Sequence, residues 1–290
     1  MYYTGKISKK EIFMARKTQK KKQGTLYTVI GAIIIIAWGI FSRDGNFNLN
    51  NLFSSSPSNT VNNAKRADTY YGGLSKTDYD QLAKLDFKSG DRAYIDVNHN
   101  KSTLIKNAWK VNKVIYSNLD SLNRTSHSNT AFLEKRNVAN DSLRVRQFVQ
   151  PTGWHYNHRN GTQIYNRGHL IAYSISAGID QDGNYNPNNQ SGDQNNPKNL
   201  FTQSAYSNQK IQTIFESKVR RALRENKRVI YQATPIFRGN ELMARGINLQ
   251  AVSTDGSLDF NVYLFNVQPR CVYNYNDGRA KIDRQMIVKQ

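Results

Sequence analysis

At 290 residues, with 38% hydrophobic and 11% aromatic side chains, the chain is long and apolar enough to bury a core, which excludes general disorder. Its single cysteine, Cys271, excludes an intrachain disulfide framework and a multi-cysteine zinc or iron–sulfur site. Forty-one Lys and Arg against 21 Asp and Glu, a formal net charge of +20, point to an anionic partner: nucleic acid, lipid headgroups or an acidic wall polymer.

The first 23 residues are a basic tail, carrying Lys6, Lys9, Lys10, Arg16, Lys17, Lys20, Lys21 and Lys22 against Glu11 alone. Residues 24–41 then run without a charge around four isoleucines, Ile33, Ile34, Ile35 and Ile36, just long enough for one helix to span a bilayer. No small-x-small cleavage site follows, only Trp38, Gly39, Ile40, Phe41, Ser42 and Arg43, so the run reads as a retained signal anchor. A buried core helix is the alternative, but such a helix normally carries a polar stripe, and this run has only Thr25 and Thr28. The basic tail on one side, with Arg43 against Asp44 on the other, sets the tail inside and residues 42–290 outside a single-pass cell-membrane protein. Residues 42–73 are an Asn- and Ser-rich linker, and residues 74–290 are the expected folded, extracellular domain.

Within that domain, Leu82, Leu85 and Phe87 form a short apolar pattern before an alternating strand at 93–98. Residues 142–154 read as a strand followed by a Pro-Gly turn, and residues 163–173 as a second strand interrupted by glycine. Residues 180–199, almost entirely Asn, Asp, Gln, Gly and Pro, read as a long surface loop. Residues 208–226 place Ile211, Ile214, Phe215, Val219, Ala222 and Leu223 at helical spacing. Alternating strands follow at 227–237 and 258–270. There is no internal repeat or heptad run, and strands grouped around one long helix favour an α+β fold.

The chain has no G-x-S-x-G, Walker loop, H-E-x-x-H or Cys-His cluster, which removes the usual sequence support for hydrolase elbows, nucleotide cradles and common zinc sites. His155 and His158 lack a third ligand at a diagnostic interval and read as structural or solvent-facing. The acidic stretch from Asp180 to Asn184 lacks the spacing of a calcium loop and reads as a turn. His169 sits in N-R-G-H-L, next to Arg167 and a glycine that permits close approach. A lone strand histidine is more often a packing residue; what distinguishes this one is the N-P-K-N ending at Asn199, then Asn208, then Glu216.

YNRGHLIAY, NPKNLFTQS and S-N-Q with a Glu eight residues after the Asn together resemble the DNA/RNA non-specific endonucleases of the ββα-metal class, membrane-bound DNA-entry nucleases and streptodornases of Gram-positive bacteria above all. PTGW upstream and FNVYLFNVQP downstream agree, so the resemblance spans roughly residues 82–277. One position departs from it: Asn166 stands where Asp is common. The resemblance implies a central antiparallel sheet flanked by helices. It also assigns His169 as general base, Asn208 as the direct ligand of one Mg²⁺, with Mn²⁺ as a substitute, Glu216 acting on that ion through water, and Asn199 in support.

Eight residues of ideal helix rise about 12 Å and turn about 80° beyond two full turns, so direct ligation by both Asn208 and Glu216 does not follow from the spacing. Without the resemblance, Glu216 is an exposed i,i+4 partner of Arg220 and Asn199 an ordinary turn residue. Arg167 has the planar fork suited to phosphate oxygens, and Lys210, Lys218, Arg220, Arg221 and Arg224 are either a track for a nucleic-acid backbone or a solvated helix face. No base-reading module is present.

The expectation is therefore a membrane-anchored, Mg²⁺-dependent endonuclease of DNA and RNA, acting on extracellular DNA for degradation or for delivery to an uptake machinery. A non-catalytic surface receptor for DNA or another polyanion is the alternative, and an adhesive envelope protein a third reading.

Overall fold

The computed structural model describes residues 71–290 apart from 156, 157 and 160. The basic tail, the apolar run at 24–41 and the linker up to residue 70 lie outside the described residues. Among the described residues no helix is long and apolar enough to cross a membrane.

The chain enters through helix α1 (Lys76–Leu82), whose first turn is capped by Ser75 accepting from the Asp78 amide. Strands β1 (Tyr94–Asp96), β2 (Lys113–Ile115) and β3 (Asn129–Leu133) follow, then a ribbon of β4 (Tyr165–His169) and β5 (Leu200–Ser204). Helix α2 (Thr213–Arg224) leads to the long strands β6 (Val229–Ile236), β7 (Gly246–Ser253) and β8 (Asp259–Phe265), and a small ladder of β9 (Cys271–Tyr273) with β10 (Ala280–Ile282) closes the chain. The central sheet has the order β1-β8-β7-β6-β3-β2 and is antiparallel throughout. This is the α+β architecture expected, with few helices and an antiparallel sheet.

Helix α2 lies on one face of the sheet. Its Phe215, Val219, Ala222 and Leu223 join Tyr231, Ala233, Leu249, Ala251, Val262 and Leu264 in the largest core. The opposite face is covered as well, by Leu82 against Ile236 and Tyr263 and by Leu104 and Ala108 against Phe132, Ile230 and Val252. Covering both faces buries polar residues too. Gln232 donates to Thr130, Asn248 donates to Asn261, and Gln250 accepts from the Thr103 amide, so these three buried amides of the second face are each paired.

Three expected elements differ. Residues 144–150 form no strand: the amides of Val145 and Phe148 donate to the side-chain oxygens of Gln194 and Asn195, which replace a neighbouring strand. In 163–173 the strand is broken: Gln163 ends a two-residue strand begun at Thr162, Tyr165–His169 forms β4, and a 3-10 turn at Tyr173–Ile175 ends the stretch. The helix expected at 208–226 begins as a π-helical segment, Ser207–Gln212, and becomes regular only from Thr213. The loop at 180–199 is irregular as expected, but Gln194, Asn196 and Asn199 within it are buried.

Candidate active site

Strand β4, the segment at 144–147, the π segment and the start of α2 surround a cleft of about 500 Å³. His169, Arg167, Asn208 and Glu216 all line it, with Asn166, Gln147, Gln194, Arg144 and Trp154. Register explains the placement: β4 pairs with β5 from Tyr165 opposite Ser204 to His169 opposite Leu200, so His169 stands at the strand's end. The next residues are held by Asn199, which accepts from the Ile171 amide and donates to the Ile171 carbonyl.

His169 is half-buried, and its Nε2 lies 3.1 Å from the Gln194 carbonyl, closer than the Gln147 amide nitrogen at 3.4 Å. A carbonyl only accepts, so Nε2 carries the proton and the basic lone pair is on Nδ1. Burial lowers the imidazole pKa to about 4, against the Gln194 hydrogen bond and helped by the Arg144 charge. The ring is neutral, the state a general base needs.

Asn208 and Glu216 come to one side because of the π segment. A π turn holds about one residue more than an α turn, and this takes up the rotation that would separate the pair in a regular helix. Glu216 is not the exposed partner of Arg220. The residue is only 9% exposed and its carboxylate accepts from Gln212 at 2.7 Å, while Arg220 donates to Ser174 and Ser217. Desolvation raises the Glu216 pKa, opposed by the Gln212 hydrogen bond and by the charges of Arg220 and Arg144. Arg167 donates through Nε to the Val149 carbonyl, and its guanidinium lies 4.3 Å from the Trp154 ring centroid.

Asn166 donates to Oδ1 of Asn208 at 2.8 Å. An aspartate in its place would set a second acceptor against that oxygen, so the asparagine has a defined role here as a donor.

The remaining expected residues do not line the cleft. Lys210 is exposed, Arg220 stands behind Ser174, and Asn199 is buried against Ile171, where its support is to the backbone two residues beyond His169. Replacing Asn199 with alanine leaves a buried amide and a buried carbonyl without that partner, each costing roughly 1–3 kcal/mol. Chemical denaturation of Asn199→Ala is expected to show a loss of that order, and an unchanged midpoint would refute the clamp. His155 hydrogen-bonds the Asp277 carbonyl, and the side chain of His158 lies outside the described residues. Asp180 accepts from the amides of Asp182 and Asn184, a turn as expected.

Sequence reasoning missed Arg144, Gln147, Gln194, Gln203 and Gln212. Arg144 and Gln147 lie in a stretch read as a strand, Gln194 in a loop, Gln203 within the N-P-K-N-L-F-T-Q-S motif with no role given to it, and Gln212 in no motif.

Among the described residues no group of three or more His, Cys, Asp or Glu is placed to hold a metal ion. The donors present still fit a hard cation: the amide oxygen of Asn208 and the Glu216 carboxylate line one cleft, and Mg²⁺ commonly keeps several waters.

A family model described as DNA/RNA non-specific endonuclease matches residues 102–255, which include the whole Asn166 to Glu216 arrangement. Among solved structures, the chain is similar to NucA from Streptococcus agalactiae with magnesium ion bound, at 26% identity and a TM-score of 0.57, over 73% of this chain and 99% of that one. The same protein with no metal bound is 27% identical with a TM-score of 0.55, over 79% of this chain and 99% of that one.

Proposed function

Because the chain belongs to the DNA/RNA non-specific endonuclease family, we propose that it hydrolyses phosphodiester bonds of DNA and RNA with His169 as general base and one Mg²⁺ as cofactor, for which Mn²⁺ substitutes. The observation that carries this reading is the convergence of a neutral, oriented imidazole with Asn208, Glu216 and Arg167 on one cleft.

The chemistry asks little of the chain. Nδ1 of His169 takes a proton from the attacking water, and the Gln194 carbonyl holds the ring and stabilises the imidazolium that forms. Arg167, fixed by Val149 and Trp154, is placed to meet phosphate oxygens. Asn208 would hold the cation directly and Glu216 through its waters; when bound, such an ion offsets charge on the phosphate and on the leaving oxygen. Arg144 on the cleft wall and the exposed Arg146 and Phe148 beside it present charge and an aromatic face, a surface suited to an unpaired nucleotide and indifferent to base identity.

Residues 24–41 anchor the protein in the cell membrane, with the nuclease domain outside; the uncharged run and the basic tail before it support this. An unrestrained nuclease in the cytoplasm would attack its own genome, which favours extracellular DNA as the substrate. The product is degraded further or passed to an uptake machinery.

The test is to incubate the detergent-solubilised full chain with Mg²⁺ and end-labelled duplex DNA, single-stranded DNA and RNA of one sequence. Cuts spread along each polymer are expected. Intact polymers that are nonetheless retarded on a gel would instead establish a non-catalytic polyanion receptor.

A further inference from the structure

Five side-chain amides stand head to tail through the floor of the cleft and end on Glu216. Gln163 donates to Asn166 at 2.5 Å, Asn166 to Asn208 at 2.8 Å, Asn208 to Gln203 at 2.9 Å, Gln203 to Gln212 at 2.9 Å, and Gln212 to Glu216 at 2.7 Å. Every bond points the same way.

The direction has a physical origin. A lone amide turned by 180° exchanges its oxygen for its NH₂ at little cost. Gln212 has no such freedom, because its NH₂ faces two groups that only accept, the Glu216 carboxylate and the His169 carbonyl at 2.9 Å. Its oxygen must then face Gln203, whose oxygen must face Asn208, whose Nδ2 is thereby committed. Oδ1 of Asn208 is left turned toward Asn166 and the cleft. Both relaying glutamines are fully buried, so water does not offer a substitute partner. Gly168 supplies the room: a Cβ at that position would fall 2.2 Å from Oε1 of Gln203. The glycine beside His169 thus serves the glutamine across the ribbon.

We propose that Gln203 and Gln212 are positioning residues that carry the fixed polarity of Glu216 and of the His169 carbonyl to Asn208, so that its amide presents oxygen, and never nitrogen, to a divalent cation. This rests on the nuclease reading of the cleft. Neither glutamine touches the reacting atoms; each acts through Asn208. Glu216 acquires a second task, as the acceptor that orients the direct ligand from two helical turns away.

The decisive comparison measures Mn²⁺ binding to the full chain by electron paramagnetic resonance, with no nucleic acid present, and plasmid cleavage separately. Gln212→Leu is expected to weaken Mn²⁺ binding by about 10–100-fold, the range for supporting partners of a metal ligand. In an Asn208→Asp background both ends of the ligand are oxygen and orientation no longer matters, so the same substitution is expected to cost less than about threefold. Circular dichroism checks the fold. If Gln212→Leu does not fold, Gly168→Ala, which displaces Gln203, carries the same comparison.

Equal losses in the two backgrounds, or no loss in either, would overturn the relay while leaving the nuclease reading intact. A native chain that neither binds Mn²⁺ nor cleaves plasmid would overturn both.

Discussion

His169→Ala is expected to lower the rate of plasmid cleavage by about 10²–10⁴-fold, the span for loss of a general base, while retardation of plasmid on a gel stays nearly unchanged. The separation follows from the geometry. The imidazole contributes a lone pair at the end of β4, whereas Arg167 and Arg144 keep their places beside Trp154 and Tyr173. The pH profile gives a second handle. Burial and the Arg144 charge hold His169 at about 4, below the ordinary value of 6.5. The ring must be neutral to accept a proton, so activity is present above the lowered value and lost as pH falls through it. In kcat/KM, which reports the free enzyme, the His169 step is therefore expected near 4, below the step of Glu216, whose pKa burial raises above the ordinary carboxylate value. Glu216→Gln removes the second step and isolates the first: in that variant the residual kcat/KM should stay near its plateau at pH 6, where an unperturbed imidazole is mostly protonated. A limb at 6.5 that persists in Glu216→Gln would mean that His169 is solvated in the working enzyme.

Asn208→Ala is the second large effect, acting on the cofactor and not on the base. Among the described residues no cluster of acidic, histidine or cysteine side chains stands ready to replace it. Removing its oxygen should raise the Mg²⁺ concentration for half-maximal cleavage by at least about 10²-fold, beyond the usual cost of losing a supporting partner. Titrating cleavage rate against Mg²⁺ for the native chain and the variant checks this. A variant with the native half-saturation would remove Asn208 from the metal site. Asn208 also holds the relay through its two hydrogen bonds, so a melting curve on the same sample separates lost metal from lost packing.

What the sequence made legible was the part governed by local pattern. The α2 periodicity survives as Phe215, Val219, Ala222 and Leu223 facing the sheet, and the strand runs at 227–237 and 258–270 correspond to Val229–Ile236 and Asp259–Phe265. The motif spacing marks His169, Arg167, Asn208 and Glu216, and the fold gathers them on one cleft.

The rest depended on contacts far apart in the chain. Residues 144–150 alternate like a strand, yet their partners are side chains of Gln194 and Asn195, about fifty residues away, and nothing in the local pattern announces a side-chain ladder. Gly246–Ser253 alternates as Ile247, Leu249 and Ala251 against Asn248 and Gln250, but both sets are buried, because loops and α1 cover the second sheet face. The π segment is equally hidden, since residues 207–212 have no composition that marks one, and it alone reconciles an eight-residue spacing with a shared cleft. Gln203 and Gln212 became meaningful only once the direction of their hydrogen bonds was visible. Asn199 fell between these cases: its position was marked by motif, its clamp on Ile171 was not.

Supercoiled plasmid is incubated with the detergent-solubilised full chain, with Mg²⁺ or with EDTA, and with His169→Ala alongside. Relaxed and linear products that require both Mg²⁺ and His169 are the predicted result. Cleavage that persists in EDTA or in His169→Ala, or a folded chain that retards plasmid without cutting it, would contradict the assignment of this cleft as the active site.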